Sequence, residues 1–175
     1  ERCSEILKKL TLNPTIEDDF IDRDLSISDY VHEIVKSFEE ISKKKFIVNS
    51  DLNYNSLKIT KSIELVYGLR NFIGNANKFS KSKVFINIKS DNNFTEIIIE
   101  DDGEGYPKDV LSKIGEPYIQ SHKSSVKSLS GLGLGIFIGK TLLEKNYGNI
   151  DCKNSKDKSG AKVSIKWKNE DLLKL

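Results

Sequence analysis

Two asparagines and a lysine stand in one row of a segment that otherwise has the pattern of an amphipathic helix. In RNFIGNANKFS, residues 70–80, Asn71 and Asn75 are four residues apart and Lys78 follows three residues later. At about 100° per residue, these side chains lie on one stripe of a helix. An asparagine amide oxygen is a neutral hard ligand that suits Mg²⁺, and a lysine one turn away can neutralise phosphate oxygens. A solvated polar face is the commoner meaning of Asn and Lys on a helix, so both interpretations stay open here.

A carboxylate followed by two glycines forms a second candidate. In DDGEG, residues 101–105, Asp101 follows directly on the strand-like run IIIE. Gly103 and Gly105 can adopt positive φ and let a ligand approach the backbone. An ionised carboxylate accepts hydrogen bonds, and the exocyclic amine of adenine is a suitable donor. A plain turn after a strand has the same composition, so a binding role is one of two interpretations.

The glycine-rich segment GLGLGIFIGKT, residues 131–141, imitates two known phosphate motifs without matching either. A phosphate loop needs a glycine where this chain has Leu134, and the dinucleotide fingerprint needs one where it has Ile136. Lys140 and Thr141 are therefore interpreted as ordinary helix residues.

With both motifs excluded, the feature of this segment that is left to explain is its three alternating glycines at the start of a predicted helix. Bare backbone amides at a helix start, together with the helix dipole, favour an anion. The candidates for cradling phosphates are Gly131, Gly133 and Gly135.

Apolar periodicity indicates the elements that must position these residues. On the helix that carries the asparagines, one stripe is expected to pack on a sheet, and it comprises Leu65, Leu69, Phe72, Ala76 and Phe79. The predicted helices are 1–12, 29–44 (capped by Ser28), 62–79 and 133–146. The predicted strands are 46–50, 84–89, 94–101, about 149–153 and 161–167, with a long loop over 102–132. This order predicts an α/β fold with helices on one face of a mixed sheet.

Composition narrows the class of protein. The 175 residues carry a net charge of only +2, which gives no electrostatic footprint for nucleic acid. The apolar runs are too short to span a membrane and no leader is visible. The chain opens at Glu1 without Met, and we interpret it as a piece of a larger protein. Cys3 and Cys152 lack metal-ligand spacing, which favours a reducing compartment.

The ordered motifs N-x-x-x-N-A-x-K-F-S, D-x-G-x-G and G-L-G-L-G-I resemble those of the ATP-binding catalytic domain of sensor histidine kinases. The resemblance covers about residues 24–168. It implies the Bergerat ATP-binding fold shared with Hsp90-type chaperones, gyrase and mismatch-repair ATPases. That fold is a two-layer α/β sandwich with a mixed, mostly antiparallel sheet and helices packed on one face.

The resemblance also implies ATP and Mg²⁺ as cofactors. Asn75 would ligate the metal, Lys78 would contact phosphate, and these two would be the catalytic residues. Asp101 would bind the adenine amine, and IGEPY at 114–118 resembles an aromatic-bearing motif of the family's mobile lid. The implied nucleotide-binding residues are Asn71, Asn75, Lys78, Phe79, Asp101, Gly103, Gly105, Tyr118, Gly131, Leu132, Gly133, Leu134 and Gly135.

The position four residues before the metal asparagine separates kinases from ATPases in this superfamily. ATPase relatives have a water-activating glutamate there, whereas this chain has Asn71. The resemblance therefore implies transfer of the ATP γ-phosphoryl group to a histidine. A nucleotide-binding regulatory module without transfer and a self-sufficient ATPase are the alternatives.

Neither histidine fits the acceptor. HEIVKSF at 32–38 begins like the phosphoacceptor box but has Ser37 where the box has proline, so His32 is expected to be a surface helix residue. His122 lies in the lid, where it could approach phosphates or simply be solvated. The acceptor is expected on a dimerisation domain outside this chain, in a homodimer that also serves a cognate response regulator.

One subgroup is more similar still, the redox-responsive regulator kinases of the RegB/PrrB type. Residues 1–13 resemble the end of their dimerisation helix, with 14–23 a linker and 24–175 the catalytic domain. Cys3 is then a candidate redox sensor, or alternatively a small residue in a helix seam. The subgroup implies the cytoplasmic portion of a membrane-anchored bacterial sensor. SGAKV at residues 159–163 departs from the family's Gly-Thr-Thr pattern. Whether Gly160 makes a third glycine-rich contact is therefore left open.

Overall fold

A five-stranded sheet forms one layer of the domain. The structure is a computed structural model that describes residues 25–52, 57–59, 62–117 and 134–175. The strands of this sheet are β2 (Lys45–Leu52), β4 (Lys83–Ser90), β5 (Phe94–Asp101), β6 (Asn149–Asn154) and β7 (Ala161–Lys168). Their order is β2-β4-β5-β7-β6, with β2 parallel to β4 and every other neighbour antiparallel. The predicted mixed, mostly antiparallel sheet is confirmed.

Helices cover one face of this sheet. They are α1 (Ile27–Glu39), α2 (Ile63–Phe79) and α4 (Gly135–Lys145), with two single-turn helices, α3 (Lys108–Leu111) and α5 (Asn169–Leu172). Alternate strand residues point into the layer between, because side chains of a strand alternate between faces. The fully buried ones are Val84, Ile86, Ile88, Ile97, Ile99, Ile165 and Trp167.

The apolar stripe of α2 packs on the sheet as predicted, except at its end. Leu65, Leu69, Phe72 and Ala76 are buried, whereas Phe79 is 54% exposed. Phe79 is the last residue of the helix, where its backbone carbonyl lies against Gly103. Its ring therefore lies beyond the packed layer, and the prediction of a core residue was wrong.

Glycines bring α2 and α4 into close contact. A Cβ on Gly68 would lie 2.6 Å from the Leu143 side chain, and one on Gly139 would lie 3.2 Å from the Gly68 carbonyl oxygen. Only hydrogen atoms fit between helices at this separation. The start of α4 is consequently held against the polar stripe of α2.

Several predicted boundaries move for identifiable reasons. α1 begins after Ser26 rather than Ser28, because Ser26 and Asp29 form a reciprocal capping box. It ends at Glu39 rather than near Lys44, whose ammonium instead binds the backbone oxygens of Ser80 and Lys81.

Four short elements escaped prediction. The long loop expected over 102–132 is interrupted by α3, and α5 follows the last strand. A two-stranded sheet pairs β1 (Leu25–Ser26) with β3 (Lys58–Ile59). Elements of two to four residues are too short to show periodicity. Within the described residues, no helix has the length and apolar character needed to cross a bilayer.

Candidate functional site

The polar stripe of α2 faces the first residue of α4. A Cβ on Gly135 would lie 3.2 Å and 3.3 Å from the two amide atoms of Asn75, and 3.6 Å from Asn71 Oδ1. Asn71 Nδ2 donates to the Tyr67 backbone oxygen at 2.8 Å, which fixes the amide with its oxygen toward α4. The structure thus brings together Asn71, Asn75 and Gly135, which the sequence places in two separate motifs.

Asn75 has an unsatisfied polar atom. Its Nδ2 is fully buried and has no hydrogen-bond partner among the described residues. Buried amide groups in native proteins are nearly always hydrogen-bonded, and an unmet one is destabilising by about 1–3 kcal/mol. A buried amide without a partner in this position is typical of a group whose hydrogen bond is supplied by a ligand.

Lys78 is a half-buried cation without a counter-charge in the described part of the chain. No carboxylate there lies within 4 Å of its ammonium, and the nearest recorded contact is the Phe79 ring, with its centroid 5.1 Å away. Burial lowers the pKa of Lys78. An anion beside the ammonium would restore the favourable charge balance.

The start of α4 lacks a side-chain cap. Its N-cap residue is Leu134, no side chain in the described part of the chain accepts from the first turn, and that turn contains no acidic residue. The free backbone N–H groups of a helix start attract anions. Leu134 and Gly135 therefore lie where the sequence predicts phosphate contacts.

Asp101 ends β5 as a buried carboxylate, only 3% exposed. Its Oδ1 accepts from the backbone N–H groups of Gly103 at 2.8 Å and Ala161 at 3.3 Å. Oδ2 accepts no hydrogen bond from the residues that the structure describes. Burial raises the pKa of Asp101, although both backbone N–H donors oppose the shift. A desolvated carboxylate with one fixed and one available oxygen is a directional acceptor for an external donor.

Three glycines shape the surroundings of Asp101. A Cβ on Gly103 would collide with the Phe79 carbonyl oxygen, and Gly105 has φ of +76°, which favours glycine. A Cβ on Gly160 would overlap the Asp101 carboxylate and carbonyl. Gly160, which the sequence left open, therefore forms the wall behind Asp101.

Phe79 offers an exposed ring at the same end of the site. Its carbonyl contacts the Gly103 turn, and its ring lies beside Lys78. A flat apolar face next to a hydrogen-bonding carboxylate suits an aromatic heterocycle, which can stack on the ring.

Asp102 supports the end of the site that contains Asp101, although its own carboxylate does not face the site. Its carboxylate accepts from the backbone N–H groups of Lys81, Ser82 and Lys83 at 2.8–3.0 Å and from the Ser82 hydroxyl at 2.6 Å. Partial burial raises the pKa of Asp102, but these hydrogen bonds outweigh it and hold the pKa well below the ordinary value. Asp102 thereby ties the segment after α2 to the segment after β5. In the sequence, the doubled aspartate of DDG at residues 101–103 was the only feature that could have indicated this supporting role.

Several predicted residues lie outside the described residues, namely Cys3, Tyr118, His122, Gly131, Leu132 and Gly133. His32 is exposed on α1, with Nδ1 2.7 Å from the Ser28 backbone oxygen, as expected for a surface residue. Lys140 forms an ion pair with Glu144 one turn away, at 3.8 Å.

The oxygen donors of the site fit a magnesium ion that takes most of its coordination from phosphate oxygens and water. Within the described ranges, no group of three or more His, Cys, Asp or Glu side chains could hold a metal. Asn75 and Asn71 supply neutral oxygens beside an uncapped helix start. Mg²⁺ in nucleotide sites typically takes one or two protein ligands and fills its shell with phosphate oxygens and water.

An open-faced sheet, a buried carboxylate at one strand end and an anion-attracting helix start together define a nucleotide-binding α/β sandwich. Residues 60–171 match the family described as histidine kinase-, DNA gyrase B- and HSP90-like ATPases. The chain belongs to this family.

Similar proteins agree with this assignment. The sensor histidine kinase RegB of Cereibacter sphaeroides is 33% identical over 130 residues, which are 66% of this chain and 28% of RegB. This chain thus spans less than a third of the curated relative.

Solved structures are similar in fold. The mycobacterial sensor histidine kinase MprB has a TM-score of 0.68 at 20% identity, over 82% of this chain and 96% of that one. Full-length ShkA in complex with AMPPNP has a TM-score of 0.65 at 19% identity, over 83% of this chain and 30% of that one.

Proposed function

We propose that this chain binds ATP with Mg²⁺ and donates the γ-phosphoryl group to a histidine on a dimerisation domain. The observation that carries this proposal is the buried Nδ2 of Asn75, which has no hydrogen-bond partner among the described residues and lies at the start of α4. Among the described residues, the unmet amide, the lysine without a counter-charge and the uncapped helix start are together complementary to a metal-bound polyphosphate.

The two ends of the site would hold different parts of ATP. Asp101 would accept a hydrogen bond from the adenine amine through Oδ2, while Phe79 stacks on the base. Lys78 and the backbone of Leu134 and Gly135 would bind the phosphates. These groups position the γ-phosphoryl group and neutralise its charge, which is the main contribution of a protein to phosphoryl transfer.

Asn75, assisted by Asn71, would hold a magnesium ion. When bound, this ion neutralises phosphate charge during the transfer. In the transfer, an imidazole nitrogen forms a bond to the γ-phosphorus as the bond to the β-phosphate oxygen breaks, and ADP leaves.

Asn71 favours transfer over hydrolysis. A general base must accept a proton from water, and a carboxamide such as that of Asn71 is too weak a base to do so. This feature distinguishes the proposal from the alternative of a self-sufficient ATPase.

The remaining assignments extend the proposal beyond the described residues. Residues 1–13 would be the end of the dimerisation helix and 14–23 a linker, with the acceptor histidine upstream. A response regulator would receive the phosphoryl group, and the chain would be the cytoplasmic part of a membrane-anchored sensor. Cys3 would be placed to report redox state to the dimerisation helix.

The test is phosphotransfer from labelled ATP to a separately supplied dimerisation domain of the same protein. We expect phosphohistidine with the wild-type chain and a loss of at least about 100-fold with Asn75→Ala, because the metal-binding amide is removed. Asn77→Ala is the matched control: Asn77 lies on the same helix but accepts from Ser42 on the other side, at 2.6 Å. Phosphotransfer by Asn75→Ala at the wild-type rate, or steady phosphate release without acceptor, would contradict the proposal.

A further inference from the structure

Asn154, the last residue of β6, forms hydrogen bonds with the turn that follows Asp101. The Asn154 carboxamide pairs with both peptide groups of Tyr106: Tyr106 N–H donates to Asn154 Oδ1 at 2.6 Å, and Asn154 Nδ2 donates to the Tyr106 carbonyl oxygen at 3.0 Å. One side chain thus provides the two hydrogen bonds that a neighbouring strand would normally provide. No other hydrogen bond of the described residues engages these two peptide groups.

The same side chain touches the glycine before Tyr106. A Cβ on Gly105 would lie 2.6 Å from Asn154 Oδ1 and 3.3 Å from the Gly160 carbonyl oxygen. Gly105 has φ of +76°, so the turn adopts a left-handed conformation directly against Asn154. The position of this turn therefore depends on β6, fifty residues away in sequence.

A second residue of β6 contacts the Tyr106 side chain. Cys152 and Asn154 lie on the same side of the strand, and the Cys152 thiol lies close to the Tyr106 phenol. Burial raises the pKa of Cys152 to about 11, and burial likewise raises the pKa of Tyr106. Both groups are neutral at physiological pH, so Tyr106 is anchored without charge next to the Asp101 carboxylate.

We propose that Asn154 is a positioning residue for recognition of the adenine base. It fixes the Gly105–Tyr106 turn, which lies against Gly160, and Gly160 in turn packs on the Asp101 carboxylate. Asn154 itself touches neither base nor phosphate; it acts through the backbone. The inference rests on the proposed function, because it concerns the adenine end of the same site.

The test compares two nucleotides by isothermal titration calorimetry on this chain. Purine riboside triphosphate lacks the amine that Asp101 would recognise and is otherwise close to ATP. We expect Asn154→Ala to weaken ATP binding about tenfold in the presence of Mg²⁺, and to change the affinity for purine riboside triphosphate less than about twofold. Asn154→Asp keeps the acceptor for the Tyr106 N–H but loses the donor, so an intermediate ATP affinity is expected.

Asn149→Ala is the matched control, since Asn149 is exposed at the other end of β6. It should bind both nucleotides like the wild type. Equal ATP affinities of Asn154→Ala and the wild type would overturn the positioning role. An equal loss for both nucleotides would do so too, because it would mean general loosening. Absence of ATP binding by the wild type would instead overturn the proposed function.

Discussion

The two ends of the site are built on different principles. At the end that we propose binds adenine, Asp101 is fixed by two backbone N–H groups, and its neighbours are tied down by Asp102 and Asn154. At the end that we propose binds phosphate, Asn75 has an unmet amide and Lys78 has no counter-charge among the described residues. On this proposal, one end is organised by the protein alone, whereas the other is completed by the ligand.

This difference has a physical basis. A planar base is recognised by a few directional hydrogen bonds, and these need fixed partners. A flexible polyphosphate with its metal can adapt to the protein, and its charge compensates for groups that are unfavourable when empty. The two ends should therefore respond differently to substitution, one through orientation and the other through charge.

Asp101→Asn should have the largest effect and should separate stability from binding. The amide keeps the oxygen that accepts from Gly103 and Ala161 but loses the charge and turns a donor toward the base. We expect ATP affinity to fall at least about 100-fold, as it does when a buried donor faces another donor. Calorimetric titration measures this loss, and an affinity within threefold of the wild type would contradict the assigned role.

The same variant should be more stable without ligand. Burial raises the Asp101 pKa above 3.8, so the carboxyl favours the folded state at low pH, and this contribution is lost as pH rises through the folded-state pKa. At neutral pH the native protein therefore carries a desolvated charge that Asn would remove. We expect Tm to rise by about 2–4 °C at pH 7, with a smaller difference near pH 4. A fall in Tm at pH 7 would show that the charge stabilises the empty site.

Asp102→Ala should have a smaller effect, confined to stability. The variant loses the hydrogen bonds from four donor groups of the segment after α2. Because Asp102 is partly exposed, we expect the free energy of unfolding to fall by only about 1 kcal/mol. Urea denaturation at pH 7 measures the change.

The pH dependence of Asp102 has the opposite sign to that of Asp101. Its pKa is depressed, so its contribution is present above 3.8 and is lost as pH falls toward the folded-state pKa. The difference in stability between wild type and Asp102→Ala should therefore shrink below pH 4. Ser50→Ala, on the exposed end of β2, serves as a control with no such dependence. A difference that stays constant from pH 7 to pH 3 would rule out the charged form as the cause.

Much of this architecture follows from local sequence patterns. Alternation in β4 and β5 and the stripe of α2 predicted the layers, because burial on one face imposes these periods. The strand pattern also placed Asp101 at the end of β5, where the structure has it. Local sequence patterns therefore report on requirements shared by residues that are close together along the chain.

The supporting contacts could not be predicted in the same way. Asp102, Asn154 and Gly160 act across about 20 to 60 residues of sequence, and their neighbours are known only once β4 and β7 pair with β5 and β6 pairs with β7. Phe79 has the right period for the core but lies at the helix end, where the packed layer stops. Periodicity describes faces of elements and does not indicate where a partner layer ends.

Calorimetric titration of the wild-type chain with ATP, with and without Mg²⁺, tests the central claim most directly. The claim is that one site binds adenine at a prearranged end and a metal-bound phosphate tail at an unsatisfied end. We predict saturable one-to-one binding that weakens at least about tenfold when Mg²⁺ is removed, and that loses this metal dependence in Asn75→Ala. Binding that is independent of Mg²⁺ in the wild type, or no binding at all, would contradict it.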